Sequence, residues 1–162
     1  MTTTFDTIAE NYYAKFLLLT PRGGLTDAGK KFDRSTRRQP LRVWASGDSA
    51  CLRKLELSQD RVIDDERILH PSTGERKVEA TLTVAYPVLP ALYGTREIDD
   101  MNEVMDQDAS HLRDTLIAPP NFVSGQNLCH VTSWDFDRGS DTVWFLVMHL
   151  EITFFETQTL YT

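Results

Sequence analysis

The sequence predicts an α+β fold in which a mostly antiparallel sheet packs against two helices. Two segments, residues 5–19 and 98–116, place apolar side chains at helical spacing, and Lys77 to Val88 alternates apolar with polar residues along a strand-length run. The strands neighbour one another in sequence, and none is followed by a glycine-rich phosphate turn, which separates this chain from nucleotide-binding α/β folds. At 162 residues the chain suits one domain, residues 1–162, long enough to bury roughly 70% of the surface its unfolded form exposes.

Phe5, Ile8, Ala9, Tyr12, Tyr13, Phe16, Leu17 and Leu19 share one helical face, and the threonines ahead of them can cap the free amides. Thr20-Pro21 stops this helix, because proline disfavours the helical conformation in the residue before it. Residues 20–40 then read as an exposed, basic, glycine-containing loop, longer than most connections in a small domain. Leu41 to Ala45 forms a short strand ended by Ser46-Gly47-Asp48-Ser49, and Leu52 to Leu57 a weaker one. Residues 61–88 read as a hairpin: Arg67 to His70 meets the turn Pro71-Ser72-Thr73-Gly74 and returns as the alternating strand, with Val78, Ala80, Leu82, Val84, Tyr86 and Val88 on the core side.

Pro87, Pro90 and Gly94 break that strand, and the second helix begins near Arg96 with acidic residues in its first turns, where the helix dipole favours them. Its core face is Ile98, Met101, Met105, Ala109, Leu112 and Leu116, and its acidic residues are expected on the opposite face. Ala118-Pro119-Pro120 ends it. A closing hairpin follows, Leu128 to Phe136, a turn at 137–141, and Val143 to Phe155. That last strand is apolar on both faces. Trp144, Leu146, Met148, Leu150, Ile152 and Phe154 suit the domain's own core, whereas Val143, Phe145, Val147 and Phe155 require a second cover, from another subunit or from helix 5–19.

The net charge of −7 argues against general polyanion binding by the free domain, and no window approaches the ~18 apolar residues of a membrane span. The N-terminus lacks the basic and apolar regions of a secretory signal, so a cytoplasmic location is expected. Cys51 and Cys129 are far apart and lack metal-ligand spacing, which suits reduced, packed thiols. Charge is unevenly distributed. Residues 22–42 carry Arg22, Lys30, Lys31, Arg34, Arg37, Arg38 and Arg42 against Asp27 and Asp33, while residues 97–108 carry Glu97, Asp99, Asp100, Glu103, Asp106 and Asp108 with no base. Such asymmetry favours head-to-tail docking of unlike patches, with Arg34, Arg37 and Arg38 facing Asp99, Asp100, Glu103 and Asp106 as the candidate contact.

No catalytic signature stands out, and no cofactor or metal site is expected. Asp135, Asp137 and Asp141 start like a calcium loop, but the twelfth position is Leu146 in place of a bidentate glutamate, so a hairpin turn is the reading. Cys129 and His130 are adjacent on a strand and point to opposite faces, so they cannot form a thiol–imidazole pair. His149 and Glu151 form a polar i, i+2 set, at a solvated edge or a subunit contact. The basic loop has one aromatic residue, Phe32, and no framework for reading bases.

The order of these elements resembles the tail terminator proteins of long-tailed bacteriophages and the related tail-completion and head-tail joining proteins. The resemblance rests on the N-terminal helix, the basic loop, Leu41-Arg42-Val43-Trp44, the strand Lys77 to Val88, the acidic helix, and a closing hairpin from Asn127 to Phe155 that ends in Glu-Ile-Thr-Phe-Phe-Glu. It implies a non-enzymatic virion subunit that forms a homohexameric ring on the last ring of the tail tube, stops polymerisation and presents a surface to the head connector. The implied partners are further copies of the chain, the major tail tube protein and the head-tail connector proteins, with non-specific contact to DNA passing through the ring and none to a membrane. The implied location is the host cytoplasm during assembly and then the tail or neck of the virion. The alternative from the residues alone is a small cytoplasmic enzyme or ligand-binding domain, with a pocket between helix 98–116 and the sheet around His130, Trp134 and His149.

Overall fold

Strand pairing sets the frame. The computed structural model describes residues 4–19, 32–34, 53–65, 73–87, 98–117, 126–138 and 143–157. In chain order these carry α1 (Phe5–Phe16), β1 (Phe32–Arg34), β2 (Arg53–Asp65), β3 (Thr73–Pro87), α2 (Ile98–Ile117), β4 (Gln126–Asp137) and β5 (Val143–Thr157). The strands form one sheet in the order β1-β2-β3-β5-β4, antiparallel except for the parallel pairing of β1 with β2. This is the expected α+β architecture, a five-strand, mostly antiparallel sheet with two helices.

β3 and β5 pair without interruption from Thr73↔Thr157 to Pro87↔Val143. That unbroken register keeps side chains alternating between the two faces along the whole ladder. On one face Val78, Ala80, Leu82, Val84 and Tyr86 meet Ile152, Leu150, Met148, Leu146 and Trp144, all buried. Both helices lie on this face. Ile8, Tyr12 and Phe16 of α1 and Met101, Met105, Leu112 and Leu116 of α2 share one core cluster with these strand residues.

α1 is capped as expected, with the Thr4 side chain accepting from the Thr7 amide at 3.3 Å. Its regular part ends at Phe16, before the expected Leu19, because the Leu18 and Leu19 amides bond three residues back, to Lys15 and Phe16, and tighten the last turn. The expected weak strand at 52–57 and the first residues of the expected hairpin, 61–65, belong to one strand, β2, while Leu52 and residues 66–72 lie outside the described residues. β2 stays paired to β3 by absorbing irregularities between Gln59 and Arg61 and between Val62 and Asp64. Thr73 and Gly74, expected in the turn, begin β3. The strand expected at 41–45, Cys51, Val88 and residues 139–141 of the turn expected at 137–141 lie outside the described residues, and Asp137 of that turn ends β4.

Within the expected loop at 20–40, Phe32, Asp33 and Arg34 form β1 along the edge of β2, and the rest of that stretch lies outside the described residues. Phe32 is buried in the core. Beyond β1, the Tyr13 hydroxyl takes the place of a neighbouring strand: it accepts from the Leu57 amide at 2.6 Å and donates to the Leu57 carbonyl at 3.2 Å. Burial raises the Tyr13 phenol above its usual range, against the pull of the Leu57 backbone and Arg34. The Arg34 guanidinium lies 4.0 Å from the centre of the Tyr13 ring and bonds both oxygens of Glu10 at 2.7 Å, so α1 is held to the sheet edge at three points on adjoining turns.

α2 is held by a charge. Asp108, expected on the solvent face, is fully buried, because it sits seven residues after Met101 and four before Leu112 and so falls on the apolar stripe. Its Oδ2 accepts from the Arg53 Nε of β2 and from the Tyr86 hydroxyl of β3, the latter at 3.0 Å. Arg53 is equally buried. Burial pushes the Asp108 carboxyl up to about 6, with Arg53 and Tyr86 pulling it back down.

Breaking this pair by Asp108→Ala leaves a buried guanidinium without its counter-charge and should cost about 3–5 kcal/mol in urea unfolding. Arg53→Met combined with Asp108→Leu should recover most of that loss, since apolar side chains of similar volume suit the site. Because folding raises the Asp108 pKa from 3.8 to about 6, the group's contribution to stability is complete below 3.8 and is lost as pH rises through about 6. Asp108→Asn should flatten that part of the stability–pH curve. Tyr13→Phe, which strands the Leu57 backbone groups at a partly closed edge, should cost about 1–3 kcal/mol, measured the same way.

Candidate functional site

Both described helices lie on one side of the sheet, and the opposite face carries no described helix. The register places a polar ladder across its middle: Arg61, Glu79, Glu151 and His130 in one row, and Ser58, Thr81, His149 and Ser133 in the next. Glu79 and Glu151 stand directly opposite each other, an unfavourable placement that separate cations relieve. Arg61 grips both oxygens of Glu79 at 2.6 and 2.8 Å, and the Lys77 Nζ lies 3.3 Å from Glu151. The Arg61 hydrogen bond holds the Glu79 carboxyl below its usual range. His149 Nε2 lies 3.5 Å from Asp135, and Thr81 donates to Asp60.

The irregularities in β2 and β4 bend their strands away from this ladder and leave a shallow depression of about 240 Å³ between Asp60, Glu79, Thr132, Ser133, His149 and Glu151. Its acids already have partners, and among the described residues no group of three or more His, Cys, Asp or Glu side chains could hold a metal ion. The depression is a notch in a charge-paired surface.

The apolar residues of this face are graded along β5. Val143 is buried beside Ala85 with Phe145 packed against them, Val147 is half-buried, and exposure reaches 45% at Phe155 and 54% at Leu128. Helix α1 does not cover them, because it shares the core of the other face. Four apolar side chains thus remain at least partly open on a strand-covered surface, Phe145, Val147, Phe155 and Leu128.

The residues singled out for docking do not converge among the described residues. Arg34 is committed to Glu10 and Tyr13 on α1, well away from the acids of α2 in sequence and in contact. Arg37 and Arg38 lie outside the described residues, as do the side chains of Asp99 and Asp100, although their backbone opens α2. Glu103 and Asp106 are exposed on α2, and Glu103 accepts from Gln107 at 3.1 Å. No described cation pairs with either.

His130 and His149 point to the open face, while Trp134, paired with Met148, points to the helix side under Arg113. The three therefore do not share a pocket, and the space between α2 and the sheet is filled by Met101, Met105, Leu112, Leu146 and Met148. His149 and Glu151 bond to other strands and not to each other. Cys129 is buried with its thiol pushed up to about 11 by burial, which makes it a poor nucleophile, and His130 is exposed on the other face.

The residues missed from the sequence were Arg53 and Asp108. Helical spacing alone would have placed Asp108 inward; only its charge argued otherwise. No described helix is long and apolar enough to cross a membrane. Neither a scan against protein-family models nor a search of curated proteins finds a match for this chain.

Proposed function

We propose that this chain is a structural, non-catalytic virion subunit that forms a ring on the end of a phage tail tube, ends its polymerisation and joins the tail to the head connector. The observation that carries the reading is the open sheet face, where Phe145, Val147, Leu128 and Phe155 lie among charges already neutralised within the chain. A surface of that composition, part apolar and part locally satisfied polar, can be desolvated against another protein at low cost. The element order that resembles tail terminators supports the same reading.

In this mechanism one surface of the subunit reproduces the tube protein's contact and the other lacks it, so one layer binds and the next is blocked. A closed ring joins one patch to a different patch on the next copy. The exposed acids of α2, Glu103 and Asp106, and the basic stretch at 22–42 offer such unlike patches. Its partners are further copies of the chain, the tube protein, the connector and DNA held without sequence preference. The competing reading, a pocket enzyme or ligand-binding domain, has less support, because buried side chains occupy the space it requires under α2.

Electron microscopy of native tube ends mixed with the protein tests the proposal, together with light scattering at high concentration. Rings on the ends support it; bare ends and a strict monomer overturn it. Charge reversal at Arg37 and Arg38 should weaken ring formation or attachment, more so at low salt, with an unchanged unfolding midpoint. Arg34 is unsuitable for that test, because its reversal would also break the contacts of β1 with Glu10 and Tyr13 of α1.

A further inference from the structure

β4 closes one side of the sheet: among the described residues its strand neighbour is β5 alone. It is an open edge. Val131 and Trp134, on the helix side, are only half-buried, while their partners Leu150 and Met148 on β5 are buried, and His130, Ser133 and Asp135 are exposed. A strand of this length with an uncovered side presents a row of backbone donors and acceptors that another strand satisfies as a set.

We propose that this edge pairs antiparallel with β4 of a second copy about a twofold axis, so that one sheet runs through both chains. Register identifies the occupant. The irregularity between Val131 and Ser133 shifts the alternation of β4, so that His130 faces the open side before it and Ser133 and Asp135 face that side after it, with Thr132 beside them. Like faces then meet along the whole strand in one arrangement, with His130 opposite Asp135 and Val131 opposite Trp134. A slide of one residue sets inward against outward side chains throughout, and a slide of two sets Val131 against Thr132 or Trp134 against Ser133.

In the matching arrangement an imidazole donor stands opposite a carboxylate and an aliphatic side chain opposite an indole, and the twofold axis repeats each pair. Bulges and charges on an edge strand ordinarily keep other strands away. Here the polar positions of the two copies, an imidazole donor and a carboxylate acceptor, complement each other instead. The contact is isologous, so it stands apart from the head-to-tail contact of a ring and does not rest on that reading.

Sedimentation velocity of the full chain over a range of concentrations tests this with His130→Glu, Asp135→Lys and the two combined, circular dichroism serving as the check on folding. The wild type should dimerise, each single variant should weaken the dimer by roughly tenfold because a like-sign or unmatched pair appears twice, and the double variant should restore it. Amide hydrogen exchange along β4 should slow with rising concentration in the wild type and not in His130→Glu. A wild type that stays monomeric, single variants that dimerise normally, a double variant that stays weak, or β4 exchange indifferent to concentration would each overturn the proposal.

Discussion

Asp108 carries a carboxylate into a core of apolar side chains, and the placement of α2 follows from how that charge is met. A buried carboxylate is tolerable only where donors wait for it, and Arg53 on β2 and Tyr86 on β3 supply them at one position along the sheet. An apolar helix could settle in several registers of similar packing energy. One that must bring Asp108 to Arg53 cannot slide by a turn without separating this buried pair. The pair therefore contributes specificity of arrangement more than net stability, and it ties the helix layer to the β2 side of the sheet while α2 itself lies over β4.

The β2 edge shows a second way of completing a sheet. β1 supplies backbone partners as far as Leu55, and at Leu57 a single tyrosine hydroxyl does the work of a strand by donating and accepting together. Arg34 then covers that tyrosine and returns to Glu10 on the same helix. An arginine that looks from its neighbours like part of a free basic arm is thereby part of the fold. The Tyr12 hydroxyl adds a tie between the helices by donating to the Leu116 carbonyl at 3.2 Å.

Both described helices lie on one face of the sheet, and the other face is of different character. Its charges are neutralised pair by pair, and its apolar residues grow more exposed from Val143 toward Phe155 and Leu128. A surface with few unmet charges is cheap to bury and gains from every apolar group that is covered.

Local pattern determined much of this protein without help. The alternation of Val78 to Tyr86, the spacing of Met101, Met105, Ala109, Leu112 and Leu116, and the inward row from Trp144 to Phe154 each follow from the periodicity of a strand or helix, and each set is buried. The opposite faces of Cys129 and His130 follow in the same way. Tertiary structure alone decided what depends on partners distant in sequence: that Asp108 can stay on the inward stripe where its spacing puts it, because Arg53 and Tyr86 meet it, that Arg34 is spent on α1, and that β5 lies between β3 and β4. Periodicity says which way a side chain points. Whether a charge can point inward depends on donors brought to it by the fold, and no spacing within its own segment records them.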